Sequence, residues 1–242
     1  MASNTIKIAD KKNTKIVAHR GCSGLETENT AAAFIAAGNR TYFGIETDIY
    51  RTADHKYMCN HDGETGRICE VNLKIEESNF DDLRALTLKD KDGQTDRAEI
   101  RLCTPYEYAK ICKKYGKHAV PELKSGFTCE ELEEIVKIFE DLDYLDHTTF
   151  IAFGMGNLER LRQVRPNVDC QYLVGDWREE LPELLAEKKM GLDIHHSQLT
   201  PERVELLHSK GIVVNCWTCD DPEDAQKLID MGVDQITSNI LD

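Results

Sequence analysis

The sequence predicts a single-domain (β/α)8 TIM barrel, and three observations carry that reading. Short apolar runs bounded by polar turns alternate with helical stretches, and setting one hairpin arm aside leaves eight strands. A chain of 242 residues has the length that one such barrel commonly occupies. No Gly-rich phosphate turn is present, which removes the chief mark of a doubly wound open sheet, the competing arrangement.

Taken in order, residues 1–14 form a short polar extension, expected to cover one end of the fold. Lys15 to His19 is the first strand, and Gly21 and Gly24 mark the loop after it. Asn29 or Thr30 can cap a helix built from Ala31, Ala32, Ala33, Phe34 and Ala37. Phe43 to Ile49 is the second strand. Tyr57 to His61 is extended too, and the short Ala53–Lys56 link makes it an arm of that strand. Residues 62–103 are polar and mixed in charge with no clean period, so they read as an insertion after strand two, a lid or a small added segment.

Thr104-Pro105 then opens a helix to about Tyr115, and Lys117 to Leu123 is the next strand. Helix Cys129–Asp141 leads to strand Thr149–Phe153, and helix Asn157–Val164 to strand Val168–Val174. A helix near Glu179–Lys188 precedes strand Gly191–Ile194. Thr200-Pro201 opens the helix before strand Gly211–Thr218. Asp221-Pro222 opens the last helix, and Gly232 ends it before strand Val233–Thr237. The acidic run Glu130, Glu131, Glu133, Glu134 is expected to be the solvated face of its helix.

Thirty basic residues against 44 acidic ones give a formal charge of −14, without the basic run that a nucleic-acid surface needs. No window approaches the roughly 20 apolar residues of a membrane span. The start, MASNTIKIADKKNTK, lacks the apolar core of a signal peptide, so a soluble cytoplasmic protein is expected, monomer or homodimer. Nine scattered cysteines fit reduced thiols packed as small apolar groups, including the lone Cys216/Cys219 pair.

In a barrel of this kind the working site lies at the C-terminal strand ends. Glu46 and Asp48, two apart on one strand, face the same way, and two like charges so placed call for a cation or a proton between them. Glu122 and Lys124 share a face for the same reason, as do Asn215 and Trp217. Glu46, Asp48 and Glu122 together can offer oxygen ligands to one divalent cation, Mg²⁺ or Ca²⁺. His19 and His61 at neighbouring strand ends can flank that cation as general acid and base, and Arg20 and Lys124 can neutralise a phosphate. His195-His196 reads as a polar loop rim.

These residues also carry a resemblance. The chain is similar to the glycerophosphodiester phosphodiesterase family of phospholipase C-like barrels. Its segments HRG at 19–21, TENT at 27–30, AF at 33–34, IETDI at 45–49, TADH at 52–55 and HD at 61–62 follow that family's order. Glu122-Leu123-Lys124 and Trp217-Thr218 follow further on. The resemblance implies metal ligands at Glu46, Asp48 and Glu122, acid/base histidines at His19 and His61, phosphate contacts at Arg20 and Lys124, and an aromatic at the mouth in Trp217. It implies metal-dependent hydrolysis of a small glycerophosphodiester to glycerol 3-phosphate and an alcohol. Thr27 stands where the family has Pro, and DGETGRICE follows His61 where the family has a T-L-D-R-T-T-like run. Ile49 stands for Val and Ala152 for Ser. These departures near the mouth bear on the headgroup. Two alternatives remain at this stage. One is a catalytically silent barrel that binds phosphodiesters, against which every acid, base and ligand position is filled. The other is a related phospholipase at membranes, for which residues 62–103 lack an apolar or basic loop.

Overall fold

The computed structural model describes residues 4–242. Eight parallel strands close into a barrel: β1 (Lys15–Ala18), β2 (Gly44–Arg51) with its antiparallel arm β3 (Tyr57–Cys59), β4 (His118–Leu123), β5 (Thr149–Ala152), β6 (Asp169–Val174), β7 (Gly191–His195), β8 (Val214–Trp217) and β9 (Gln235–Ser238). Each barrel strand pairs with the next, and β1 pairs in parallel with both β2 and β9, which removes the open edges. Seven helices lie between the barrel strands: α1 (Ala31–Gly38), then, after the short α2 (Phe80–Arg84) of the insertion, α3 (Pro105–Tyr115), α4 (Cys129–Glu140), α5 (Met155–Val164), α6 (Leu181–Lys188), α7 (Pro201–Ser209) and α8 (Pro222–Met231).

The local chemistry that starts and stops these helices is the chemistry expected of them. Thr104 accepts from the Glu107 backbone while the Glu107 carboxylate accepts from the Thr104 backbone N–H, a reciprocal cap at the start of α3. Thr128 and Glu131 repeat the device at α4. Asp221 caps α8, and Gly232 ends it at φ +86°, a left-handed conformation that glycine adopts without cost. Thr30, rather than Asn29, caps α1.

Strand alternation then divides the core in two. Val17, Val120, Ile151 and Leu173 point inward and fill the barrel's centre. Their neighbours Ile16, Ala18, Ala119, Phe150, Ala152, Leu192 and Ile194 point outward and meet the helices. Because side chains alternate, the same register carries Glu46, Asp48, Glu122, Asp193 and Asn215 into the interior.

Two expectations gain detail and two need correction. In residues 62–103, Ile68, Cys69, Ile75, Leu83, Leu88, Ile100 and Leu102 join Met58 of β3 in a separate apolar cluster around α2. Their spacing follows no single period because turns, not one long helix or strand, bring them together. In the N-terminal extension, Ile6 pairs with Leu241 and Ile8 N–H donates to Asp242, so it runs beside the chain's last residues. The seventh barrel strand, expected over 211–218, begins only at Val214, after a left-handed Gly211. Finally, Glu131 is not on a solvated face: it is buried, pairing with Arg51 at 3.2 Å and accepting from or pairing with His55 at 3.3 Å.

Candidate active site

The site begins with backbone geometry. After β1 the chain turns sharply, with Arg20 at φ +55° and Gly21 at φ +77°. A side chain at Gly21 would strike Ala33 at 2.7 Å, so the turn admits glycine alone. The turn aims the Arg20 backbone N–H at Glu46 Oε2, 2.7 Å away. The Arg20 guanidinium reaches Glu28 Oε1 at 2.9 Å and lies 3.7 Å from Asp48 Oδ2. Such left-handed conformations at non-glycine residues gather at functional sites.

Glu46, Asp48 and Glu122 are all buried, and one ligand oxygen from each lies within 4.8 Å of the others. Register makes the cluster: Asp48 stands directly beside Glu122 across the β2–β4 pair. Burial, and then the neighbouring Asp48, push the Glu46 and Glu122 carboxyls well above the ordinary range. Asp48 Oδ1 is buried and has no hydrogen-bond partner among the described residues. An all-oxygen donor set with a buried oxygen that no hydrogen bond satisfies is what a hard divalent cation suits. Lys124 supplies a partial counter-charge, 3.0 Å from Glu122 and 3.5 Å from Asp48. Against burial, Asp48 and Glu122 hold its ammonium above its usual range, so it stays charged.

The histidines sit in the same field. His19 Nδ1 lies 2.8 Å from Asn239 Oδ1, an acceptor, so Nδ1 carries the hydrogen and Nε2 the lone pair. Burial, then Arg20, push this imidazole down to about 4, so it is neutral across the physiological range. Asn239 is itself fixed by Ser23 and by Asp220, which accepts from both its amide N–H and its side chain. His61 Nδ1 donates to Asp62 Oδ1 at 2.7 Å. Burial lowers the His61 imidazole as well, with Asp48 the largest opposing influence.

Every residue singled out from the sequence stands at this end of the barrel. Trp217 closes one side, packed edge-on against Phe153 and His195, and its indole N–H is buried without a partner among the described residues. A cavity of about 330 Å³ runs from Glu122 and Lys124 to Phe153, Gly154 and Arg160. His195 meets this aromatic wall edge-on, beside its neighbour His196. Cys216 and Cys219 are free thiols, both held protonated by burial.

Several contributors escaped the sequence reading. Asn29 orients Asp48, Glu28 binds Arg20, and Asn239 orients His19. Asp193, buried and partnerless at Oδ1, has its carboxyl driven up by burial and by Glu122. Asn29 and Glu28 lie inside the TENT segment and could have been weighed. Asn239 and Asp193 carry no local signal, because only barrel closure places them here.

A TIM barrel with three converging carboxylates, flanking histidines and cationic side chains at its C-terminal mouth defines the class: a barrel whose acidic cluster could hold a metal ion. The chain belongs to the Glycerophosphoryl diester phosphodiesterase family, whose model matches residues 19–242. It is 26% identical over 230 residues to a glycerophosphodiester phosphodiesterase of Caldanaerobacter subterraneus subsp. tengcongensis, covering 93% of this chain and 94% of that one. Among solved structures, a phosphodiesterase of Oleispira antarctica in complex with the product sn-glycerol-3-phosphate superposes with a TM-score of 0.83 at 25% identity, covering 93% of each chain. A glycerophosphodiester phosphodiesterase of Parabacteroides distasonis superposes with a TM-score of 0.78 at 29% identity, covering 95% of this chain and 94% of that one.

Proposed function

We propose that this protein hydrolyses small glycerophosphodiesters to glycerol 3-phosphate and an alcohol, with one Mg²⁺ or Ca²⁺ held by Glu46, Asp48 and Glu122. The observation that carries the reading is the convergence of those three buried carboxylates beside two histidines whose Nδ1 atoms are already engaged. The bound cation supplies Lewis-acid polarisation of the phosphoryl oxygens. Arg20 and Lys124 offset the charge that develops on the phosphoryl group. Neutral His19, with its lone pair at Nε2, takes the proton of the attacking oxygen, either water or the substrate's own 2-hydroxyl; the latter gives a 2,3-cyclic phosphate that water then opens to glycerol 3-phosphate. His61 is the less buried of the two and rests on a carboxylate, so it is the better carrier of a proton and protonates the leaving alkoxide. Trp217 offers its free N–H and its ring to the substrate.

No helix among the described residues is long and apolar enough to cross a membrane. The nine free thiols suit a reducing, cytoplasmic setting, where the protein would act as a monomer or homodimer on a water-borne diester. The test is release of glycerol 3-phosphate from glycerophosphocholine and glycerophosphoethanolamine with Mg²⁺ or Ca²⁺, and again after EDTA. Metal-dependent release supports the proposal. Turnover only of phospholipid vesicles would make the protein a phospholipase, and metal binding without any turnover would make it a silent barrel.

A further inference from the structure

We propose that Arg67, supplied by the segment inserted after strand two, is a positioning residue that joins Arg20 and His61 into one rigid unit. The inference rests on the reaction proposed above. Its guanidinium spans two carboxylates: Nη1 and Nη2 donate to the two oxygens of Glu28, each at 2.7 Å, and Nε donates to Asp62 Oδ2 at 2.7 Å. Each carboxylate then holds one group of the site. Glu28 Oε1 accepts from Arg20 at 2.9 Å, and Asp62 Oδ1 accepts from His61 Nδ1 at 2.7 Å. One planar fork therefore fixes both the cation that faces the phosphate and the tautomer of an acid/base imidazole.

The charges agree with that role. Against burial, Arg67 and Arg20 hold the Glu28 carboxyl down at about 2, and Arg67 and His61 hold the Asp62 carboxyl below its ordinary range. The Arg67 side chain is about half exposed (47%), and an exposed ion pair adds little to stability. Its effect is on orientation.

The insertion is built to hold Arg67 still. Thr65 N–H donates to the Leu73 carbonyl, and its hydroxyl donates to the Val71 carbonyl and accepts from Leu73 N–H. The Ile68 and Cys69 backbones close onto Thr65, and both side chains are anchored in the insertion's own apolar cluster. Thr27, beside Glu28, donates its hydroxyl to Lys89 and fastens the insertion to the loop after β1. The segment is a fixed wall of the site that carries one functional side chain inward.

The experiment compares Arg67→Met, Arg67→Lys and, as a control in the same segment, Arg101→Met, whose guanidinium bonds only Ala98 and Arg84 carbonyls. Arg67→Met is expected to lower kcat by about ten- to a hundredfold and to raise KM. Arg67→Lys should recover only part of this, since an ammonium cannot span both carboxylates. Arg101→Met should match wild type. Asp62→Asn should act chiefly on kcat and Glu28→Gln chiefly on KM, and adding Arg67→Met to the Asp62→Asn, Glu28→Gln double variant should cost less than about twofold more. Wild-type kcat and KM in Arg67→Met, or a full further loss in the double-variant background, would overturn the proposal. Should the wild type turn over no diester, the functional reading fails, and ¹⁵N shifts of the neutral His61 ring still judge Arg67. A mixture of tautomers in Arg67→Met supports its positioning role; a ring protonated wholly at Nδ1 refutes it.

Discussion

Asn29 donates from Nδ2 to Asp48 Oδ2 at 2.8 Å, while its own Oδ1 accepts from the Thr47 hydroxyl at 2.7 Å. The amide is fully buried and its residue takes φ +56°, so it has one orientation available. It occupies one oxygen of Asp48 and leaves the other, Oδ1, without a hydrogen bond among the described residues, faced by the Lys124 ammonium at 3.5 Å. Asn29→Ala removes that constraint. The expected result is a loss of about ten- to a hundredfold in divalent-cation affinity, read by titration calorimetry. An unchanged affinity would remove Asn29 from the site.

A cation held by the carboxylate cluster would make stability depend on it. Glu46 and Glu122 have folded-state values raised above the ordinary 4.5, so their favourable contribution is complete below that value and is lost as pH rises. The cation-free protein should therefore weaken toward neutral pH. Adding Mg²⁺ or Ca²⁺ at about 100 times its Kd should restore about 2.7 kcal/mol, or roughly 5–10 °C in Tm. Glu122→Gln should raise the Tm of the cation-free protein and abolish the cation-induced rise. A wild-type Tm indifferent to both cation and EDTA would contradict the assignment.

The two histidines should be separable by substitution. His19→Ala and His61→Ala are each expected to lower kcat by at least ~10²-fold while leaving divalent-cation binding in place. Turnover near wild type in either variant would take that histidine out of the scheme.

At the opposite end of the barrel, His118 stacks on Phe43 at 5.0 Å and donates from Nε2 to Thr149, whose hydroxyl donates to Asp169. Burial lowers its imidazole from 6.5 to about 4. The unfolded chain thus takes up a proton before the folded one, and stability falls as pH drops from 6.5 toward about 4. His118→Gln should flatten that part of the urea-midpoint profile. An identical acid slope in both proteins would assign the loss elsewhere.

Glu131 ties α4 to the second strand through Arg51 and completes the cap on Thr128. Glu131→Ala should cost about 1–2 kcal/mol, measured by urea denaturation, whereas Glu130→Ala, on the same turn but exposed, should cost a few tenths.

The sequence by itself determined the barrel and the near half of its site. Alternation along β2 and β4 is a local property, so it puts Glu46 with Asp48, and Glu122 with Lys124, before any tertiary structure is known. The caps at Thr104, Thr200 and Asp221 are equally local, since a helix's first N–H groups find partners within three residues. Glu131 shows the limit of such reasoning: it looks like one of four equivalent acids until packing sets it beside Arg51. Tertiary structure alone set the register at which β9 returns to β1, which delivers Asn239 to His19 across 220 positions of sequence. It alone folded the insertion so that Arg67 meets Glu28, 39 positions away. These pairings have no period to betray them. They arise because a closed sheet brings its first and last strands together, and the hydrogen-bonding side chains at that seam are fixed by geometry that no short stretch of sequence contains.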